Sequence, residues 1–192
     1  MRKLVRGFLV ATVLGWLAQG GCLAQSRYQL FAGYSWLSNS LNGVPGSHQP
    51  LNGWDFSFAF PAWHGLRFKV DTTGYRGTNL NAPQHPFFIL GGAEYSHRFG
   101  RESLFVEGLG GTGGANRYWG ANQTPAQTAS FAAVLGGGVD TPISKRFAWR
   151  IDGGYQYSYF QLIQSAVTLI PEYESSLPTN FGRFSTGLVW NF

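Results

Sequence analysis

Four histidines, one cysteine and nine acidic side chains are the groups from which this 192-residue chain would have to build catalysis or metal binding. No two of His48, His64, His85 and His97 have metal-ligand spacing, and the acids are scattered. Cys22 stands alone, which excludes a disulfide scaffold and any multi-cysteine zinc pattern. Ser47-His48 sets a nucleophile beside a base, the pairing acyl transfer would use. Adjacent loop residues point apart, however, and no orienting acid stands beside them. Gly108-Leu109-Gly110-Gly111-Thr112-Gly113 satisfies the phosphate-cradle spacing G-x-G-x-x-G, yet it lies in an alternating stretch with no amphipathic helix or nearby Lys after it. We read it, and Gly136-Gly137-Gly138, as small residues that pack a narrow interior or admit neighbouring rings. Asn122-Gln123-Thr124 is a glycosylation sequon, incidental in a chain exported as described next. The expectation is no catalytic residue, no cofactor and no metal.

The elements that would position any such site begin after a leader. Arg2, Lys3 and Arg6 precede the apolar stretch Phe8 to Ala18, and small residues follow at Gly20, Gly21, Cys22 and Ala24. This reads as a secretory signal peptide over residues 1–24, cut before Gln25 and too short to span a bilayer. Acylation at Cys22 is the alternative, but Gln19-Gly20-Gly21 lacks the large aliphatic residue expected three positions before a lipidated cysteine. The formal charge of +5 comes from 14 bases and nine acids; the leader removes three bases and no acid, leaving a balance of +2. The apparent basicity is largely an export signal, and no nucleic-acid partner is expected.

From Gln25 onward, aromatic and apolar residues recur at every second position in blocks of about 9 to 14, separated by Gly, Pro, Asn and Ser clusters. Phe184, Thr186, Leu188, Trp190 and Phe192 oppose Arg183, Ser185, Gly187 and Asn191, with Val189 out of pattern. Eight strands are predicted, near 27–37, 51–60, 66–77, 86–99, 104–116, 129–141, 147–160 and 180–192. The joints Pro61 to Gly65, Gly100 to Ser103 and Pro142 to Arg146 are tight. Ser38 to Pro50, Thr78 to His85, Arg117 to Thr128 and Gln161 to Thr179 are long and polar. An even strand number with short turns at one end and long loops at the other is the plan of an outer-membrane barrel, here spanning residues 25–192.

In such a barrel the aromatic face is outside. Trp36, Trp54, Trp149, Tyr159 and Trp190 fall mainly at strand ends, where an amphipathic ring suits a membrane interface. The thin polar face holds charges of both signs that can pair inside: Asp55, Arg67, Lys69, Asp71, Glu94, Arg98, Glu107, Asp140, Arg150 and Asp152. Facing lipid at mid-depth, a Lys or Arg would cost roughly 2 to 4 kcal/mol. A narrow eight-stranded interior can satisfy it with a counter-charge.

Ser185-Thr186-Gly187-Leu188-Val189-Trp190-Asn191-Phe192 resembles the terminal assembly signal of bacterial outer-membrane barrels, carried by Ser185, Gly187, Trp190 and Phe192. Leu30-Phe31-Ala32-Gly33-Tyr34-Ser35-Trp36 is similar to the first strand of the barrel family related to the transmembrane domain of OmpA. The resemblance covers nearly all of Arg27 to Phe192. It implies an all-β, eight-stranded antiparallel up-and-down barrel in a bacterial outer membrane, inserted by the barrel-assembly machinery. Lipid and lipopolysaccharide are the expected surroundings, with four loops outside. No peptidoglycan-binding domain follows the barrel, so cell-wall tethering is not expected. Within this resemblance the lipid A-modifying barrels need a His and a Ser in fixed arrangement at the outer rim; Ser47 and His48 lie in the first long loop, and no His-x-Ser strand motif supports them. The apolar run Ala166 to Pro171 in the last loop either prolongs the final hairpin or forms a contact patch. A structural or surface-interaction role is expected first, a lipid A-modifying enzyme second and a narrow channel third.

Overall fold

The computed structural model describes residues 28–40, 50–79, 82–119, 124–160 and 177–192. Their alternation of large apolar and small or polar residues suits a pleated surface with two unlike faces. Eight strands form: β1 (Gln29–Ser40), β2 (Leu51–Trp63), β3 (Leu66–Asn79), β4 (Ala82–Phe99), β5 (Glu102–Trp119), β6 (Thr124–Pro142), β7 (Phe147–Phe160) and β8 (Leu177–Asn191). Each pairs antiparallel with its neighbours in sequence, and β8 returns to β1 from Gln29↔Asn191 to Ser40↔Asn180, closing the barrel. Closure leaves no unpaired strand edge.

The strand number and order agree with the sequence reading, but several strands run further toward the loop end. β4 begins at Ala82 rather than 86, β5 reaches Trp119 rather than 116, and β6 begins at Thr124 rather than 129. The expected long loops at 78–85 and 117–128 are therefore largely paired strand. His85, expected in a loop, lies in β4 opposite Asn116. A hairpin already in register gains ladder hydrogen bonds irrespective of its side chains, so polar residues beyond the aromatic band prolong it. The expected leader, Cys22, Ser47, His48 and the run Ala166 to Pro171 lie outside the described residues.

At the turn end, β2 and β3 are joined by His64 and Gly65, with φ of 43° and 87°. Positive φ at both central residues is the geometry that matches the twist of a two-residue hairpin. Gly100, at φ 65°, opens the equally short β4–β5 turn before Arg101. In the β6–β7 turn, the Ser144 hydroxyl accepts from the backbone N–H of Phe147 at 3.1 Å.

The two faces of the sheet differ throughout. Trp54, Phe68, Phe131, Leu135 and Trp149 are exposed on the outside. Inside, an apolar plug occupies the loop half, built from Leu37, Leu51, Tyr75, Phe88, Leu90, Leu109, Ala132, Val134 and Phe181. A smaller cluster of Phe31, Ala148 and Val189 sits near the turns, which accounts for Val189 breaking the alternation. Glycine makes room for this filling. A Cβ on Gly113 would lie 2.3 Å from the Phe88 ring, and one on Gly92 would lie 2.1 Å from the carbonyl oxygen of Gly108.

Candidate functional site

Between the two apolar clusters lies the feature that sets the interior apart, a lattice of buried charge. Alternation fixes which side chains point inward, and the barrel then brings residues from opposite strands within reach. The structure places Asp55, Arg67, Lys69, Asp71, Glu94, Glu107, Asp140, Arg150 and Asp152 inside, each 7% exposed or less. Arg98 differs: it has the inward phase of β4 but is exposed at the turn-end rim. Phase specifies a face and not a depth, and Arg98 stands one residue before the end of its strand.

Arg183 on β8 is a principal cation of the lattice, although the sequence reading did not include it among the pairing charges. One of its nitrogens, Nη2, donates to Asp55 at 2.6 Å and to Asp71 at 2.7 Å. Its position beside Ser185 on the polar face of the last strand was the available signal. Lys69 donates to Glu107 at 2.7 Å and stands 3.9 Å from both Asp71 and Glu94. Arg150 donates from Nε and Nη2 to the two oxygens of Asp140 at 2.7 and 2.8 Å. It also donates to Glu94 and Gln29, each at 3.2 Å. Its guanidinium lies 4.2 Å from the centroid of the Phe105 ring, a cation–π contact in a desolvated site. Arg67 pairs with Glu94 at 2.5 Å.

These contacts form one continuous network touching all eight strands, from Gln29 on β1 to Arg183 on β8. Among the described residues six buried carboxylates face four buried cations, so cations are shared: Arg183 bridges Asp55 and Asp71, and Lys69 lies within 4.0 Å of Asp71, Glu94 and Glu107. Sharing is what makes the arrangement tenable, because an uncompensated buried charge costs several kcal/mol. Asp152 is buried too, and among the described residues its Oδ2 has no hydrogen-bond partner. A hydroxyl chain continues toward the apolar plug: Ser185 donates to Ser35 at 2.9 Å, and Ser35 lies 2.9 Å from the Tyr75 hydroxyl.

Sequence reasoning also missed the plug itself. Its signal was the contiguous runs Phe87-Phe88-Ile89-Leu90 and Ala132-Ala133-Val134-Leu135, in which apolar residues occupy both faces: Phe88, Leu90, Ala132 and Val134 point inward, and Phe87, Ile89 and Leu135 outward.

Among the interface aromatics, Trp36, Trp54, Trp149 and Trp190 are exposed and Tyr159 is half-buried. In the terminal motif, Ser185 and Gly187 face inward, and Trp190 and Phe192 face outward. Gly187 pairs with Gly33 across the closing seam, where a Cβ would come 2.4 Å from the Ala32 carbonyl oxygen. Phe192 stacks on Tyr28 with centroids 5.9 Å apart and meets Trp190 at 5.0 Å. Among the described residues no group of three His, Cys, Asp or Glu is placed to hold a metal ion.

This architecture is that of the eight-stranded outer-membrane β-barrels. The sequence matches no protein-family model and no curated protein. Among solved structures, the neisserial surface protein NspA is similar at a TM-score of 0.60 and 18% identity, over 86% of this chain and 96% of NspA. Ail, the attachment invasion locus protein of Yersinia pestis, is similar at 0.56 and 13%, over 87% of this chain and 99% of Ail. A second structure of Ail, in complex with the heparin analogue sucrose octasulfate, is similar at 0.55 and 12%, over 86% and 98%. The likeness is one of fold: a closed antiparallel eight-stranded barrel.

Proposed function

We propose that this chain is a non-catalytic protein of the bacterial outer membrane, which holds a closed barrel across the bilayer and presents its loop end as an interaction surface. The observation that carries the proposal is the inversion of the two faces. Bulky apolar and aromatic residues such as Trp54, Phe68, Phe131 and Leu135 lie on the outside, while fully buried charges such as Arg150 and Lys69 lie within. Lipid as the outer solvent accounts for both, since the buried charges then avoid hydrocarbon and the outward apolar residues meet it. The apolar plug and the ion-paired layer fill the lumen in succession, which favours a sealed barrel over a conducting one. Both layers are buried within the barrel, so the reading places function at the surface. The fold's presence in proteins named for attachment and for the neisserial surface fits that reading.

The test has two parts. In mild detergent the folded protein is expected to migrate differently on a denaturing gel before and after boiling, and to give no steady conductance in planar bilayers. Identical migration, together with recovery in the soluble periplasmic fraction, would overturn the membrane reading. Stable conductance steps would overturn the sealed one. For the surface role, replacing residues 161–176 by a short Gly/Ser linker should abolish binding of cells to host glycans or lipopolysaccharide while leaving the gel shift intact. Altered lipid A acylation in a deletion strain would instead establish an enzyme.

A further inference from the structure

The turn-end mouth of the lumen holds a cavity of about 150 Å³. Its walls are basic: Arg67, Arg98, Arg101 and Lys145 line it against one carboxylate, Asp140. That carboxylate is already neutralised, because both its oxygens are bonded to Arg150. Arg67 enters from below, 7% exposed, and among the described residues its Nε has no hydrogen-bond partner although its Nη2 is paired with Glu94. A buried guanidinium N–H without an acceptor is a costly arrangement, and a ligand oxygen in the cavity would relieve it. Ser96 and Ser103 also line it, together with Gln29, Ser144 and Asn191. Donors therefore converge from β3, β4, β5 and the turn carrying Arg101. Several directions of approach suit a tetrahedral oxyanion, whereas a planar carboxylate is served by one bidentate guanidinium.

We propose that this vestibule is a binding site for a phosphoryl group, taken either as free phosphate or as the phosphate of an anionic lipid headgroup. Arg98 and Arg101 supply charge at the rim, and Arg67 supplies a directed hydrogen bond at the floor. The site lies at the opposite end of the barrel from the surface loops and goes beyond the role proposed for them.

The test uses the folded full-length barrel in maltoside micelles, which contain no phosphate. Inorganic phosphate is titrated at constant ionic strength, with chloride as control, and followed by calorimetry. In parallel, the protein is placed in phosphatidylcholine nanodiscs with and without phosphatidylglycerol in phosphate-free buffer, and the lipid it retains is identified by native mass spectrometry. The comparison variant is the double substitution Arg98→Ala/Arg101→Ala, whose side chains stand outside the buried lattice, so the boiling-dependent gel shift should persist. Saturable phosphate binding in micelles that weakens roughly tenfold or more in the double variant supports the proposal with free phosphate as the source. Phosphatidylglycerol retention lost in the double variant, without phosphate binding in micelles, supports it with lipid as the source. Binding in neither setting, or binding equal in the two proteins, overturns it.

Discussion

Replacing Arg150 by methionine keeps most of its volume and removes its charge, and the cost can be worked out from its contacts. Asp140 is held by Arg150 alone among the ion pairs of the described residues, through two bonds of 2.7 and 2.8 Å. Glu94 loses one partner but keeps Arg67 at 2.5 Å and Lys69 at 3.9 Å. The substitution therefore orphans one carboxylate and not two. Leaving a buried charge unpaired costs about 3 to 5 kcal/mol. Asp140 borders the turn-end cavity, where water reaches it, so the lower end, about 3 kcal/mol, is expected. Loss of the guanidinium over Phe105 adds about 1 kcal/mol. Adding Asp140→Asn should return most of the loss, because a neutral pair no longer carries an uncompensated charge. Equilibrium unfolding by urea in phospholipid vesicles, followed by tryptophan fluorescence and by gel mobility, measures both variants and their coupling. If Arg150→Met costs less than about 1 kcal/mol, or the double variant is as unstable as the single one, the charge lattice does not hold the barrel as argued.

Other substitutions probe the remaining layers. Leu135→Arg, at an outward position 73% exposed, should cost about 2 to 4 kcal/mol in vesicle unfolding if that face meets lipid, and nearly nothing if it meets water. Gly92→Ala should lower stability by about 1 to 3 kcal/mol, because its new Cβ meets backbone that cannot yield. Gly110→Ala, which meets nothing within 4 Å, should stay within about 0.5 kcal/mol; equal unfolding curves for the two alanines would sink the packing argument. Phe192→Ala removes a ring stacked on Tyr28, and the amount of barrel recovered in outer-membrane fractions should fall severalfold against an unchanged total.

The strands were legible because their repeat is local. Trp54, Phe56, Phe58 and Phe60 each announce a face without knowledge of any other strand, and the same holds for Phe147, Trp149 and Ile151. Depth was not legible in this way. Arg98 and Glu94 share one face of β4, yet one is exposed and the other has no exposure, because height within the barrel depends on the stagger between strands. Partnership was the least accessible layer: Arg183 and Asp55 are 128 positions apart and meet only once the barrel closes. The length of the loop-end hairpins was hidden for a different reason, since ladder hydrogen bonds at residues such as His85 and Asn116 leave no mark on side-chain pattern.

The seam between β1 and β8 bears on when the protein becomes itself. Gln29 and Asn191 are 162 residues apart and bond at 2.7 Å. Beside them the cluster of Tyr28, Phe58, Phe60, Trp190 and Phe192 draws its rings from β2, from the end of β8 and from the residue preceding β1. Every segment that contains that cluster spans Tyr28 to Phe192. Contacts of such separation carry the whole cost of loop closure before they return anything. The aromatic anchor at the turn end is thus a mark of closure: it exists only once β8 has found β1, and a barrel whose seam is open lacks it.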